Sequence, residues 1–288
     1  MTDYTTIDAD NYDAMPGVRP SRLKVLALQS PAHYHAAESS PIEETPGMRL
    51  GTAAHRLIQQ PELFRDVQYA IKPEGMSFTT LEGKAWKKTH AGREILTAEQ
   101  FAAVQGMAAA IAAHSDASTI LRPGVGYIER PVAWVDSDTG LLCKGKPDLV
   151  TFDGWVDDLK TTADASPRAF GAQSARLGYH FSAAMYDDGL IANGEAVRGN
   201  RLIVVETTPP YVVQVYRIPD RAIERGRERY KAALRTLAEC LRANEWPGYS
   251  NEIMDLELPR WEFGQDPELA YEHAVGAFAD ELAAMAAK

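Results

Sequence analysis

Residues 141–162 read LLCKGKPDLVTFDGWVDDLKTT, and this stretch decides the fold. It reads as two short strands joined by a tight turn at Phe152-Asp153-Gly154, where Asp and Gly are turn formers. Asp148 lies on the first strand, and Asp158 and Lys160 on the second. Residues two apart on a strand point to the same face, so Asp158 and Lys160 project together. The turn folds Asp148 back beside them. Two carboxylates and one ammonium converging on a point are costly to bury unless a cation or a phosphate sits there.

Upstream, Tyr127 to Val135 alternates like a strand, and Ser137-Asp138-Thr139-Gly140 supplies a turn. Three strands would then form a meander carrying Glu129, Asp148 and Asp158 on successive members. Glu129 is either a bare surface charge or an acidic neighbour of the site, supporting its ligands or joining them. Downstream, Pro167–Leu177 and His180–Leu190 read as two helices broken at Gly178. Arg201–Glu206 and Tyr211–Arg217 read as two further strands, rich in β-branched residues. A helix follows from Pro219 to about Asn244, with Ile223, Tyr230, Leu234, Leu237 and Leu241 facing inward. Arg221, Arg225 and Arg229 recur along it as a basic stripe laced with Glu224 and Glu228. A last helix is expected over Pro267–Ala287.

Residues 1–20 read as a loose lead-in, and 21–288 as one domain with peripheral helices. Short helices start after Ser21 and at Ser30-Pro31, and a longer one spans Met48–Gln60. In the longer helix Gly51, Ala53 and Ala54 are small enough to admit another backbone closely. His55 sits among them, either packed in the core or turned toward the strands as a metal ligand. Thr97-Ala98-Glu99-Gln100 is a capping box opening a helix to about His114. Lys84–Arg93, KAWKKTHAGR, reads as a solvated basic loop, with phosphate contact as the alternative.

The whole composition narrows the classes. With 45% hydrophobic and 24% charged residues, the 288-residue chain is that of an ordinary globular protein. No run approaches the ~20 apolar residues of a membrane helix. The start, MTDYTTIDADNYDAM, is too acidic and polar for a secretory signal. Cys143 and Cys240 are the only cysteines and are far apart, so structural zinc and a disulfide framework find no support and a reducing cytoplasm is expected. A formal net charge of -10 argues against indiscriminate coating of nucleic acid; DNA as a substrate would need positive potential concentrated in a groove. Oxygen ligands at Asp148 and Asp158 suit Mg²⁺ or Mn²⁺, and Lys160 beside them suits an attacking water.

Pro147-Asp148 followed by Asp158-Leu159-Lys160 resembles the PD-(D/E)xK phosphodiesterase signature. GTAAHRLI, carrying His55, resembles the histidine motif of RecB-type nucleases. RLGYH…AAMY, carrying Tyr179, His180 and Tyr186, resembles their helix after the lysine strand. Together with WPGY and LPRW, the order of these motifs is similar to the exodeoxyribonuclease VIII (RecE-like) branch over most of residues 19–263. The resemblance implies a mixed α/β fold, with a central mixed sheet flanked by helices in a restriction-endonuclease-like core. It implies Mg²⁺ dependence and processive 5′→3′ digestion of double-stranded DNA ends in phage-type recombination, in a bacterial cell or phage-infected host. His55, Asp148, Asp158 and the main-chain carbonyl of Leu159 would hold metal, and Tyr179, His180 and Tyr186 would position DNA. A ring-shaped homo-oligomer and a single-strand annealing protein as partner are implied too. A structure-specific endonuclease, or a binding module retaining the fold without catalysis, is the alternative. One departure is Ser182, where the family places a Gln four residues before the tyrosine; Gln173 lies one helix earlier.

Overall fold

The computed structural model describes residues 12–40 and 44–258. Three helices begin where the sequence puts proline in the first turn, a position whose N–H needs no partner. They are α1 (Pro20–Leu28), α2 (Pro31–Glu38), capped by Ser30, and α3 (Pro46–Gln59), capped by Thr45. A single turn, α4 (Pro61–Leu63), runs into a π-helical turn at Phe64–Gln68 and then β1 (Tyr69–Ile71). Next come α5 (Leu81–Thr89) and β2 (Glu94–Leu96), which pairs parallel to β1. The Thr97/Gln100 capping box opens α6 (Ala98–Ala113), and α7 (Ser115–Ile120) follows.

Five strands then run in succession: β3 (Gly126–Ile128), β4 (Val132–Val135), β5 (Leu142–Gly145), β6 (Leu149–Thr151) and β7 (Trp155–Thr162). The helices α8 (Pro167–Leu177) and α9 (Tyr179–Ala192) cross over to β8 (Gly199–Glu206), β9 (Val213–Ile218) and α10 (Asp220–Ala243). The central sheet has the order β3-β6-β7-β8-β9, and only β7 and β8 are parallel. That parallel pair is why a two-helix crossover separates them.

Alternation along β8 builds a core on each face. Leu202 and Val204 join one apolar cluster with residues of α1, α9 and α10; Ile203 and Val205 join the other with residues of α3, α6 and α7. Each such fully buried side chain contributes roughly 1.5–3 kcal/mol. A slip of one residue would exchange the two sets, so the register is strongly specified. The mixed sheet with helices on both faces is the architecture that the sequence implies.

Several local expectations are corrected. Residues 141–162 hold three strands, and Asp148 sits at the step just before β6. The strand foreseen over Tyr127–Val135 is broken, because Glu129 has φ 48° and Pro131 follows. Its two halves join different sheets: β3 pairs with β6, while β4 pairs with β5 in a separate hairpin. Lys84–Arg93 is not a loop over most of its length, since α5 is capped by the Thr80 hydroxyl accepting from the Gly83 N–H at 3.1 Å. Leu241 is 52% exposed, and the neighbouring Cys240 faces inward instead. The loose lead-in is tied down over its described part. The buried Lys144 ammonium donates to the carbonyls of Tyr12 at 2.8 Å and Met15 at 2.6 Å, and Val18 exchanges hydrogen bonds with Leu142 and Lys144.

The chain divides into two compact units, Met1–Trp246 and Pro247–Lys288. The second is described only over 247–258, which carries no helix or strand. The helix expected at Pro267–Ala287 lies outside the described residues, as do Pro259 to Trp261 of the LPRW motif. Among the described residues no helix is long and apolar enough to cross a membrane.

One buried ion pair ties β7 to β8. Arg201 grips Asp157 through Nε at 2.6 Å and Nη2 at 2.8 Å, and Asp157 is 0% exposed. Burial pushes the Asp157 carboxyl above its ordinary range despite Arg201. Arg201→Met is expected to cost about 3–5 kcal/mol at pH 8, because a buried charge loses its partner. A carboxyl with a raised folded-state pKa loses stability as pH rises, so the loss should shrink toward pH 5. Urea unfolding at the two pH values checks this; an equal loss at both contradicts it.

Candidate active site

The alternation of β7 sends Asp158 and Lys160 to one face, where the Lys160 ammonium pairs with Asp158 Oδ2. The antiparallel β6–β7 pairing brings Asp148 alongside, and its Oδ2 accepts from the Leu159 N–H at 3.0 Å. The two carboxyls also hydrogen-bond to each other. α3 supplies His55, whose Nδ1 lies 3.4 Å from Asp148 Oδ2 and whose ring bonds the Leu159 backbone. That approach needs a small residue: a Cβ on Gly51 would lie 2.9 Å from Thr161 Oγ1. Ala53 and Ala54 of the same patch are fully buried.

Electrostatics splits the carboxyls into unlike partners. Burial, reinforced by the Asp158 charge, lifts Asp148 well above the carboxylate range. Burial acts the same way on Asp158, but the Lys160 ammonium outweighs it and holds Asp158 below that range. Asp148 is therefore the more readily protonated carboxyl of the pair, and Asp158 the more readily ionised. Burial alone would weaken the Lys160 ammonium; Asp158 and Asp148 reverse this and raise its pKa. Burial and Lys160 push His55 down to about 4, so its imidazole is neutral and able to ligate. All four side chains keep 20–25% of their surface exposed, which is enough for solvent and ligand to reach them.

A cavity opens on each side of Lys160. One, of about 530 Å³, is lined by Asp158, Lys160 and the cations Arg19, Lys24 and Lys146. The other, of about 630 Å³, is lined by His55, Arg56, Glu129, Lys160, Gln173 and Arg176. Positive side chains thus outnumber negative ones around the centre, although the chain as a whole is acidic. Burial, with Lys160 nearby, lowers the Lys24 pKa to about 8, and its Nζ donates to the Leu177 carbonyl at 3.1 Å.

The remaining sequence candidates divide. Tyr179 sits with its ring centroid 5.3 Å from the Lys160 ammonium and lines both cavities. Tyr186 packs against Gly145, where a Cβ would meet its ring at 2.8 Å, and faces the 530 Å³ cavity. Its hydroxyl is held protonated by burial and by Asp158 and Asp148. His180 is elsewhere: it lines a third cavity with Arg225, and burial with Arg229 and Arg225 lowers its pKa. Glu129 divides its oxygens between Arg56 at 2.9 Å and Lys146 at 3.3 Å. Ser182 lines the 530 Å³ cavity. Gln173, set aside on sequence grounds because it lies one helix early, reaches the centre after all. Its amide bonds Thr162 Oγ1 at 3.0 Å and the Tyr179 hydroxyl at 3.4 Å. Arg56, Lys146 and Lys24 were not foreseen; only the fold brings them in, and no local spacing marks them.

Among the described residues, no three His, Cys, Asp or Glu side chains are grouped as metal ligands. Lys160 holds Asp158, and Asp148 turns to the Leu159 N–H, so the donors face each other and not one point. The donor set nonetheless fits a hard divalent cation: two carboxyls, a neutral imidazole and a peptide carbonyl. The Lys160 ammonium touches both Asp158 and, at 3.3 Å, the Leu159 oxygen, standing in as the positive charge these groups need.

Comparison with known proteins agrees with this fold. A provisionally assigned exonuclease from Eubacterium rectale overlays with a TM-score of 0.61 at 12% identity, covering 90% of this chain and 98% of its own. A phage-related exonuclease from Haemophilus somnus 129PT (TM-score 0.34, 12% identity, 80% and 97% coverage) overlays more loosely. So does an alkaline exonuclease from Laribacter hongkongensis (TM-score 0.27, 13% identity, 59% and 87% coverage). No curated protein matches the sequence. Residues 20–258 match the profile of a PDDEXK-like domain of unknown function (DUF3799), and the chain belongs to that family.

Proposed function

We propose that this protein is a metal-dependent deoxyribonuclease acting as a 5′→3′ exonuclease on the ends of double-stranded DNA. The observation that carries the reading is the clustering of Asp148, Asp158, Lys160 and His55 between two cavities, in a PDDEXK-like chain. His55, Asp148, Asp158 and the Leu159 carbonyl would hold Mg²⁺ or Mn²⁺. Bound there, the ion would supply Lewis-acid polarisation of the scissile phosphate and would acidify a water.

Lys160 does the remaining charge work. Kept protonated by Asp158, its ammonium orients the attacking water and stabilises the extra negative charge of the pentacovalent transition state. The Tyr179 ring lies against the Lys160 ammonium, and the Gln173 amide N–H donates to the Tyr179 hydroxyl. Arg19, Lys24 and Lys146 offer phosphate contacts along the 530 Å³ cavity. A ring-shaped homo-oligomer working with a single-strand annealing protein in phage-type recombination belongs to the same reading. Ser182 favours a second reading, a DNA-binding module that keeps the fold without cutting.

Three outcomes test the proposal. With Mg²⁺, linear duplex DNA should be digested from its 5′ ends while covalently closed circles survive; equal cutting of both would make the protein an endonuclease, and no cutting would favour the binding module. Lys160→Ala should lower the single-turnover rate by about 10²- to 10³-fold with metal affinity retained, as loss of one transition-state donor does. His55→Ala should raise the Mg²⁺ concentration needed for half-maximal rate. An unchanged requirement would return His55 to a packing role.

A further inference from the structure

The excursion between β1 and β2 has no part in the site above, yet it carries the chemistry of a second one. Phe78, Trp86 and His90 form a column of rings: Phe78–Trp86 centroids are 6.1 Å apart with planes 21° from parallel, and Trp86–His90 are 4.0 Å apart at 26°. All three rings stay partly exposed. The Lys72 and Lys87 ammonium groups lie 5.1 Å and 5.7 Å from the Phe78 ring centroid. Lys84, Lys87 and Lys88 share one stretch of α5, and the residues from 72 to 93 set Lys72, Lys84, Lys87, Lys88 and Arg93 against only Glu74 and Glu82. Among the described residues these four lysines form no ion pair.

Rings that served only a small core would be covered, and lysines three and four apart on one helix repel each other. In a chain of net charge -10, a cluster of this sign attracts polyanions locally. A column of rings can extend onto an unpaired base at an open face, whereas the bases of a duplex are already stacked and shielded. Lysine beside the rings lets phosphate and base be met together. We infer that Phe78, Trp86, His90 and the α5 lysines form a binding platform for single-stranded DNA, separate from the Asp148/Asp158/Lys160 centre.

The choice of DNA rests on the nuclease reading, and the test keeps the two apart. Full-length protein in EDTA, where cleavage is suppressed, is titrated into fluorescein-labelled oligothymidylate and into a short labelled duplex, and anisotropy is read. Trp86→Ala should weaken oligothymidylate binding by roughly tenfold or more, with Trp86→Phe restoring most of it and duplex binding changing little. The exposed triple change Lys84→Ser, Lys87→Ser, Lys88→Ser should weaken it comparably and flatten its salt dependence. Thermal melting of each variant accompanies the titrations, and the lysine variant carries the test where Trp86→Ala fails to fold. Unchanged oligothymidylate affinity in the folded variants overturns the platform, as does an equal loss for duplex and single strand. Loss in Lys160→Ala but not in the platform variants places the strand at the centre and also overturns it. Digestion of linear duplex by the same preparations with Mg²⁺ reports separately on the nuclease reading.

Discussion

Two buried carboxyls held side by side against one ammonium are the constraint around which this molecule is arranged. Burial and the Asp158 charge raise the Asp148 pKa, while Lys160 holds that of Asp158 down. Such a pair is destabilising unless positive charge is supplied, and Lys160 supplies it by touching both Asp158 and the Leu159 carbonyl. The same arrangement depresses the His55 imidazole and leaves it neutral. Acid, base and ligand roles thus emerge from one local field and not from separate residues.

The scaffold exists to hold that field still. The parallel β7–β8 pair, locked by Arg201 on Asp157, fixes the strand that carries Asp158 and Lys160. Gly51 lets α3 come close enough to deliver His55, and the cores on both faces of the sheet prevent either element from sliding. Lys144 anchors the N-terminal segment through main-chain carbonyls, which brings Tyr12 to the wall of the cavity that also holds Lys160.

The sequence was legible where chemistry and period coincide. Asp158-Leu159-Lys160 on a strand, the small residues around His55 and the Thr97/Gln100 capping box each impose their local geometry, and each stands as expected. Reading failed where tertiary contacts decide. The left-handed Glu129 splits a strand that alternation makes continuous; its carboxylate is held by Arg56 of α3 and by Lys146 between β5 and β6. α5 lacks a strong apolar stripe and is defined by its Thr80 cap and the close fit of Gly83, so charge alone made it look like a loop. Gln173 is far from the centre in sequence register, yet the Gly178 break between α8 and α9 turns it back onto Tyr179.

The central claim is that a divalent cation binds at Asp148 and Asp158, in competition with protons because the Asp148 pKa is raised. Mn²⁺ titration calorimetry in buffers of different ionisation enthalpy measures this directly, since metal binding to protonated ligands releases protons. The account predicts proton release on Mn²⁺ binding that increases as pH falls, with weaker binding and less release for Asp148→Asn. Tight Mn²⁺ binding with no proton release in the native protein, or binding indifferent to Asp148→Asn, would contradict it.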